Sequence, residues 1–173
     1  MGKRLFYKKG ISGVITAVIM IALVMAAITI VWAIVNKTIR GQMEGAESCF
    51  GNYNKVTINE MYTCYDLIED RVHFSLNIGD IDVDEVIVSI SSAGSTNSYT
   101  LTNEDGTIEG LGNYPTPDFG NDYIKLPTKN AGKTYIASGF DSEPDLIKIA
   151  PVIGGQQCEV SDTLSGIENC LLS

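Results

Sequence analysis

Residues 8–36 read KKGISGVITAVIMIALVMAAITIVWAIVN. Two lysines and a glycine run straight into Ile11–Val35, 25 positions without a charged residue. As a helix rising about 1.5 Å per residue, this stretch reaches ~37 Å, enough to cross a hydrocarbon core of ~30 Å with some tilt. Its many β-branched residues do not count against a helix in lipid, where the segment must pair its own backbone groups.

A secretory signal has a shorter apolar core followed by a small-residue cleavage site. Val24-Met25-Ala26 has that form, but Ile28, Ile30, Val31, Trp32, Ile34 and Val35 continue past it. Cutting there would leave an apolar tail on a secreted domain, so the segment is predicted to be retained. Lys3, Arg4, Lys8 and Lys9 make residues 1–10 basic, with no acid among them. The positive-inside rule places that end in the cytoplasm and the rest of the chain outside. Taking those four from the 12 basic residues leaves eight against 21 acids, a formal −13 for residues 11–173. A domain this acidic is not expected to bind nucleic acid, which needs Lys and Arg to neutralise phosphates. Trp32 lies near the outer end of the run, where interfacial aromatics belong. Ala22, Ala26, Thr29 and Ala33 follow i, i+4, i+7, i+11 spacing and form one small-residue stripe, the kind of face along which membrane helices approach closely.

Lys8-Lys9-Gly10 directly before Ile11-Ser12-Gly13-Val14-Ile15 resembles the class III signal peptide of archaeal type IV pilins and archaellins. In that family a membrane-embedded prepilin peptidase cuts after the glycine, and the apolar helix becomes the N-terminus of the mature subunit. The resemblance implies a cut between Gly10 and Ile11, with Lys8 and Lys9 as recognition residues. It also implies a subunit stored in the membrane, then assembled with copies of itself by pilus machinery into an extracellular filament for adhesion or motility. Bacterial type IV pilins carry glutamate at the fifth mature position; here that position is Ile15, closer to the archaeal pattern.

Beyond Cys49 the pattern changes to period two. Val72, Phe74, Leu76 and Ile78 alternate with Arg71, His73, Ser75 and Asn77, and Val86, Val88 and Ile90 repeat the pattern after a turn. Further strands are expected at 55–63, 98–102, 123–126, 134–138 and 146–150, separated by turn signals such as Asn103-Glu104-Asp105-Gly106 and Asn113-Tyr114-Pro115. The fold class is therefore α+β: a long N-terminal hydrophobic helix followed by an antiparallel β-sandwich headgroup. The expected divisions are a basic leader, 1–10, a helix, 11–47, with Gly45 a plausible stop, and an exported domain, 48–173.

Four cysteines, Cys49, Cys64, Cys158 and Cys170, follow the apolar run and read as two disulfides of an exported domain. Of three connectivities, Cys49–Cys64 with Cys158–Cys170 is favoured by closeness in the chain, each loop contributing on the order of 3 kcal/mol. Buried thiols or a zinc site are the alternatives. Zinc is set aside because there is no CxxC pair and His73 is the only histidine. No metal or cofactor is expected. Asp80, Asp82, Asp84 and Glu85 suggest a cation loop but fail the EF-hand template, with Glu85 where glycine is needed and Ser91 where glutamate is needed. Their alternation with Ile81 and Val83 reads as one wet strand face. No GxSxG, HExxH or phosphate loop is present, so the chain is not expected to be an enzyme. Asn36-Lys37-Thr38 is a formal glycosylation sequon close to the helix end. Tyr53, Tyr62, Tyr65, Tyr114 and Tyr123 offer rigid contact area for adhesion, but are expected mostly to fill the domain and its rim. The rival to a filament subunit is a single-span, membrane-anchored surface β-domain that binds a ligand and never polymerises.

Overall fold

The computed structural model describes residues 9–170, with backbone alone over 9–12 and 41–48. The chain divides into two compact units, the first ending at Glu44 and the second starting at Gly45.

The first unit is helical. Helix α1, Lys9–Phe50, runs 42 residues without a break. Its section Gly13–Arg40 has a mean hydropathy of 2.9, long and apolar enough to cross a membrane. The expected stop at Gly45 is not used, and the helix continues to Phe50. The reason is cooperativity: once a long apolar helix exists, each further residue adds a hydrogen bond without a new nucleation cost, and a lone glycine costs only about 1 kcal/mol. Two threonine hydroxyls are absorbed by the helix itself. Thr29 Oγ1 donates to Ala26 O at 2.8 Å, and Thr38 Oγ1 donates to Ile34 O at 3.0 Å.

In the second unit every named strand pairs antiparallel to its neighbours. One sheet has the order β1 (Val56–Ile58), β3 (Arg71–Ile78), β7 (Ala131–Ser138), β6 (Leu111–Asn113), with β2 (Cys64–Asp66) also on β3. The other has the order β10 (Asp162–Ser165), β8 (Leu146–Ile153), β4 (Glu85–Ser92), β5 (Ser95–Thr102), with β9 (Gln156–Gln157) on β8. The expected strands at 72–78, 86–90, 98–102, 134–138 and 146–150 are all present, with longer bounds. The one expected at 55–63 ends at Ile58, and a 3-10 turn, Glu60–Tyr62, replaces its second half. That expected at 123–126 is reduced to a single bridge, Gly106 to Ile124. Strands β2, β6, β9 and β10 were not foreseen; each is four residues or fewer, too short for a period to show.

Alternation explains the core. Val72, Phe74, Leu76, Val86, Val88, Ile90, Ile147 and Ile149 are fully buried and belong to one apolar cluster fed by both sheets. Phe74 stacks on Tyr135, centroids 5.4 Å apart. The sheets are also stitched by polar contacts: Ile58 N donates to Asp162 Oδ2 at 2.8 Å, and Ser161 Oγ donates to Val56 O at 2.6 Å. Strands β4 and β5 join through Ala93-Gly94, both left-handed (φ 47° and 82°), as a two-residue hairpin of matching twist requires.

The disulfides correct the expected pairing. They are Cys49–Cys158 and Cys64–Cys170, separated by 109 and 106 residues. Sheet topology, not chain proximity, decides which thiols meet. The C-terminal segment runs parallel to β2, with Tyr65 N donating to Glu168 O at 2.9 Å and Cys170 N to Tyr65 O at 2.8 Å. This lays Cys170 beside Cys64. Cys49, in the last turn of α1, meets Cys158 just after β9.

Candidate functional site

The first candidate is the surface of α1. Every described side chain from 13 to 40 is exposed except Asn36, which is half-buried. A helix apolar all round has the character of a buried or membrane-spanning helix, and this one is long and apolar enough to cross a membrane. Ala22, Ala26, Thr29 and Ala33 share one face. Because the Thr29 hydroxyl is already bonded to Ala26 O, that face presents methyl groups and no unpaired donor. Of the residues expected to direct processing, Lys8 lies outside the described residues, and Lys9, Gly10 and Ile11 are described by their backbone alone. The sequon Asn36-Lys37-Thr38 is helical, and its threonine hydroxyl is engaged with Ile34 O.

The second candidate lies on the first sheet. Along β3, His73, Ser75 and Asn77 alternate with core residues and line a groove of about 440 Å³. Met61 and Tyr62 of the 3-10 turn, Tyr114 after β6, and Lys133 and Thr134 of β7 complete it. Thr63 fixes the 3-10 turn to the sheet: its hydroxyl donates to Asn59 O at 2.8 Å and accepts from Ser75 N at 3.2 Å. Gly132 lies opposite Asn77, and a Cβ there would collide with Asn77 Oδ1. The His73 and Tyr114 rings meet edge to face at 5.9 Å. Met61, Tyr62 and Tyr114 are strongly exposed, 85%, 60% and 56%, which gives the groove an aromatic and thioether rim around polar walls.

Burial shifts both basic groups of this groove. Burial lowers the His73 proton affinity below the ordinary imidazole value; Arg71 adds to this, while Asp66 and Glu69 oppose it. Burial likewise lowers that of Lys133, whose ammonium donates to Lys125 O at 3.3 Å and lies 5.2 Å from the centre of the Tyr135 ring. The alternating polar face of β3 was visible in the sequence. The register that adds Tyr114 and Lys133 to it was not.

The acidic run does not gather into a cation loop. Ile81 and Val83 are buried and Asp82 and Asp84 exposed, but the segment is irregular rather than a strand. Asp82 pairs with Lys129 at 2.8 Å, and Asp84 accepts from Gly155 N at 2.9 Å. Among the five tyrosines named above, only Tyr65 is buried, its hydroxyl donating to Asp70 at 3.1 Å; Tyr53, Tyr62, Tyr114 and Tyr123 are exposed. Compared with models of known protein families, with curated proteins and with solved structures, the chain gives no match.

Proposed function

We propose that the chain is a structural subunit of an extracellular filament of the type IV pilus kind. It is made as a membrane-stored precursor and cut between Gly10 and Ile11 by a prepilin peptidase. One observation carries this reading: a 42-residue unbroken helix, without charge from Ile11 to Val35 and exposed from Gly13 to Val35, starts within a Lys8-Lys9-Gly10 motif. In lipid such a helix anchors the subunit. In a filament, copies of the same helix replace lipid, and van der Waals packing along faces such as Ala22, Ala26, Thr29 and Ala33 holds them together. The two antiparallel sheets then act as the layers of a sandwich headgroup outside the cell, where disulfides persist. The role is one of assembly, in adhesion or motility, rather than of catalysis. Mass spectrometry of the N-terminus, together with shearing of intact cells, tests it. The reading expects a mature chain starting at Ile11 and recovered in sheared filaments; a chain starting at Met1 refutes it.

The groove on the first sheet supports a second reading, an anchored surface domain that binds a ligand without polymerising. That reading expects the protein to stay with the membrane after shearing.

A further inference from the structure

Cys64 and His73 are directly opposed in the β2–β3 ladder, so both side chains leave the sheet on the same face. The parallel pairing of 168–170 with β2 brings Cys170 to the same spot. One ligand atom from each of Cys64, His73 and Cys170 lies within 4.8 Å of the other two. We propose that the reduced chain holds Zn²⁺ on Cys64, Cys170 and His73, so that a metal chelate takes the place of the disulfide.

The geometry is close to what zinc needs. With Zn–S near 2.3 Å and Zn–N near 2.0 Å, a tetrahedral ion spaces its ligand atoms by about 3.5–3.8 Å. Reaching that spacing means separating the two sulfurs and drawing in the imidazole by about 1 Å, within the range of side-chain rotation. The backbone that presents the three residues is held by ladder hydrogen bonds that do not depend on the S–S bond. The donor set is two sulfurs and a nitrogen with no carboxylate, which selects a thiophilic ion over calcium or magnesium. All three residues are half-buried, and Cys64 and His73 line the groove, which leaves the fourth position open to a water.

The chemistry balances with a dithiol as reductant. The dithiol loses two electrons and two protons and becomes a disulfide, while the Cys64–Cys170 bond opens to two thiols. Zn²⁺ then binds both sulfurs and releases two protons. Thiols are kept reduced on the cytoplasmic side of a membrane, so the chelate would secure the C-terminal segment against β2 before export and the disulfide afterwards. The inference rests on the head alone and is independent of filament assembly.

The test uses the full chain in detergent micelles with Cys49→Ser and Cys158→Ser, so that only one thiol pair remains. The protein is reduced with a dithiol, desalted without oxygen, and titrated with Co²⁺ as an optical stand-in and then with Zn²⁺. The expected result is one Co²⁺ per chain with a thiolate charge-transfer band, displaced one for one by Zn²⁺, and no binding by the oxidised protein. His73→Ala in the same background should weaken Co²⁺ binding by about tenfold or more, while its oxidised form keeps the parent near-UV spectrum. Should reduction unfold the head, Zn²⁺ must restore that spectrum. Failure to restore it, absence of stoichiometric binding by a folded reduced chain, or unchanged affinity in His73→Ala would each overturn the proposal.

Discussion

The crossed disulfides make a quantitative prediction about coupling. Alone, either bond closes a loop of more than a hundred residues, 109 for Cys49–Cys158 and 106 for Cys64–Cys170. Restricting the unfolded chain in this way stabilises by about 4.8 kcal/mol in the chain-entropy treatment. With one bond in place, however, the other closes a much shorter circuit. It runs fifteen residues from Cys64 back to Cys49, across the bond, and twelve from Cys158 on to Cys170. A circuit of about 27 residues is worth about 3.6 kcal/mol. Removing either bond alone should therefore cost about 3.6 kcal/mol, and removing the second a further 4.8 kcal/mol or so. The double loss then exceeds the sum of the two single losses by about 1.2 kcal/mol. Pairing of neighbours in sequence would instead close two separate loops of about 3 kcal/mol each, strictly additive.

The assay is thermal unfolding of the full chain in detergent, with each bond removed as a Cys→Ser pair. It is followed in the near-UV tyrosine signal, because Trp32 reports the helix. For a unit the size of Gly45–Ser173, a single removal should lower Tm by on the order of 10–15 °C. Additive losses, or a non-reducing digest that links Cys49 to Cys64, would refute the reasoning.

Other substitutions probe the core, the hairpin and the groove. Phe74→Ala removes a fully buried ring stacked on Tyr135 and should cost about 3–5 kcal/mol in a denaturant melt, with no change in the helix signal. Ala93→Asn should stabilise by about 0.5–1 kcal/mol, because Asn tolerates the left-handed φ of 47° that Ala93 is forced to adopt; a lower Tm would show that the turn is not of this type. For His73, the folded state binds a proton less readily than the unfolded state because of burial. Stability contributed by its neutral form is full above about pH 6.5 and declines as pH falls below it. His73→Gln should flatten the stability profile between pH 7 and pH 5, and an unchanged slope would place the proton uptake elsewhere.

Long periodic segments were legible and short ones were not. Val72, Phe74, Leu76 and Ile78 show their period because eight consecutive residues share one strand with one face buried. Strand β10 offers only Asp162–Ser165, and what holds it is a partner far away in sequence, with Asp162 pairing opposite Ile149. The same non-locality hid the disulfides: nothing near Cys64 in the chain reveals that residues 168–170 will lie against it. Tyr123–Leu126 misled in the other direction. Its apolar residues Ile124 and Leu126 are buried as a strand's would be, but they fill the core from a loop fixed by the Gly106 bridge and by Leu126 N bonding to Thr102 O at 3.0 Å. Burial pattern follows from the core, whereas strand assignment needs a neighbour.

The placement of the bonds bears on how a head of this kind carries load. Its first cysteine, Cys49, is in the last turn of α1 and its last, Cys170, near the end of the described chain, and each is fastened to a different part of the sheets. A pull applied through Cys49 reaches Cys158 directly across the disulfide, without first drawing out the three-residue strand β1. Strand β1 is a weak place to take tension, with only Val56, Thr57 and Ile58 in register with β3. Crossing the two bonds also locks 49–64 and 158–170 into one covalent ring of about 27 residues, so neither end of the head can peel away unless a bond breaks. Pairing Cys49 with Cys64 would have passed the same pull to β2, only three residues long, and left the 168–170 segment held to β2 by hydrogen bonds alone.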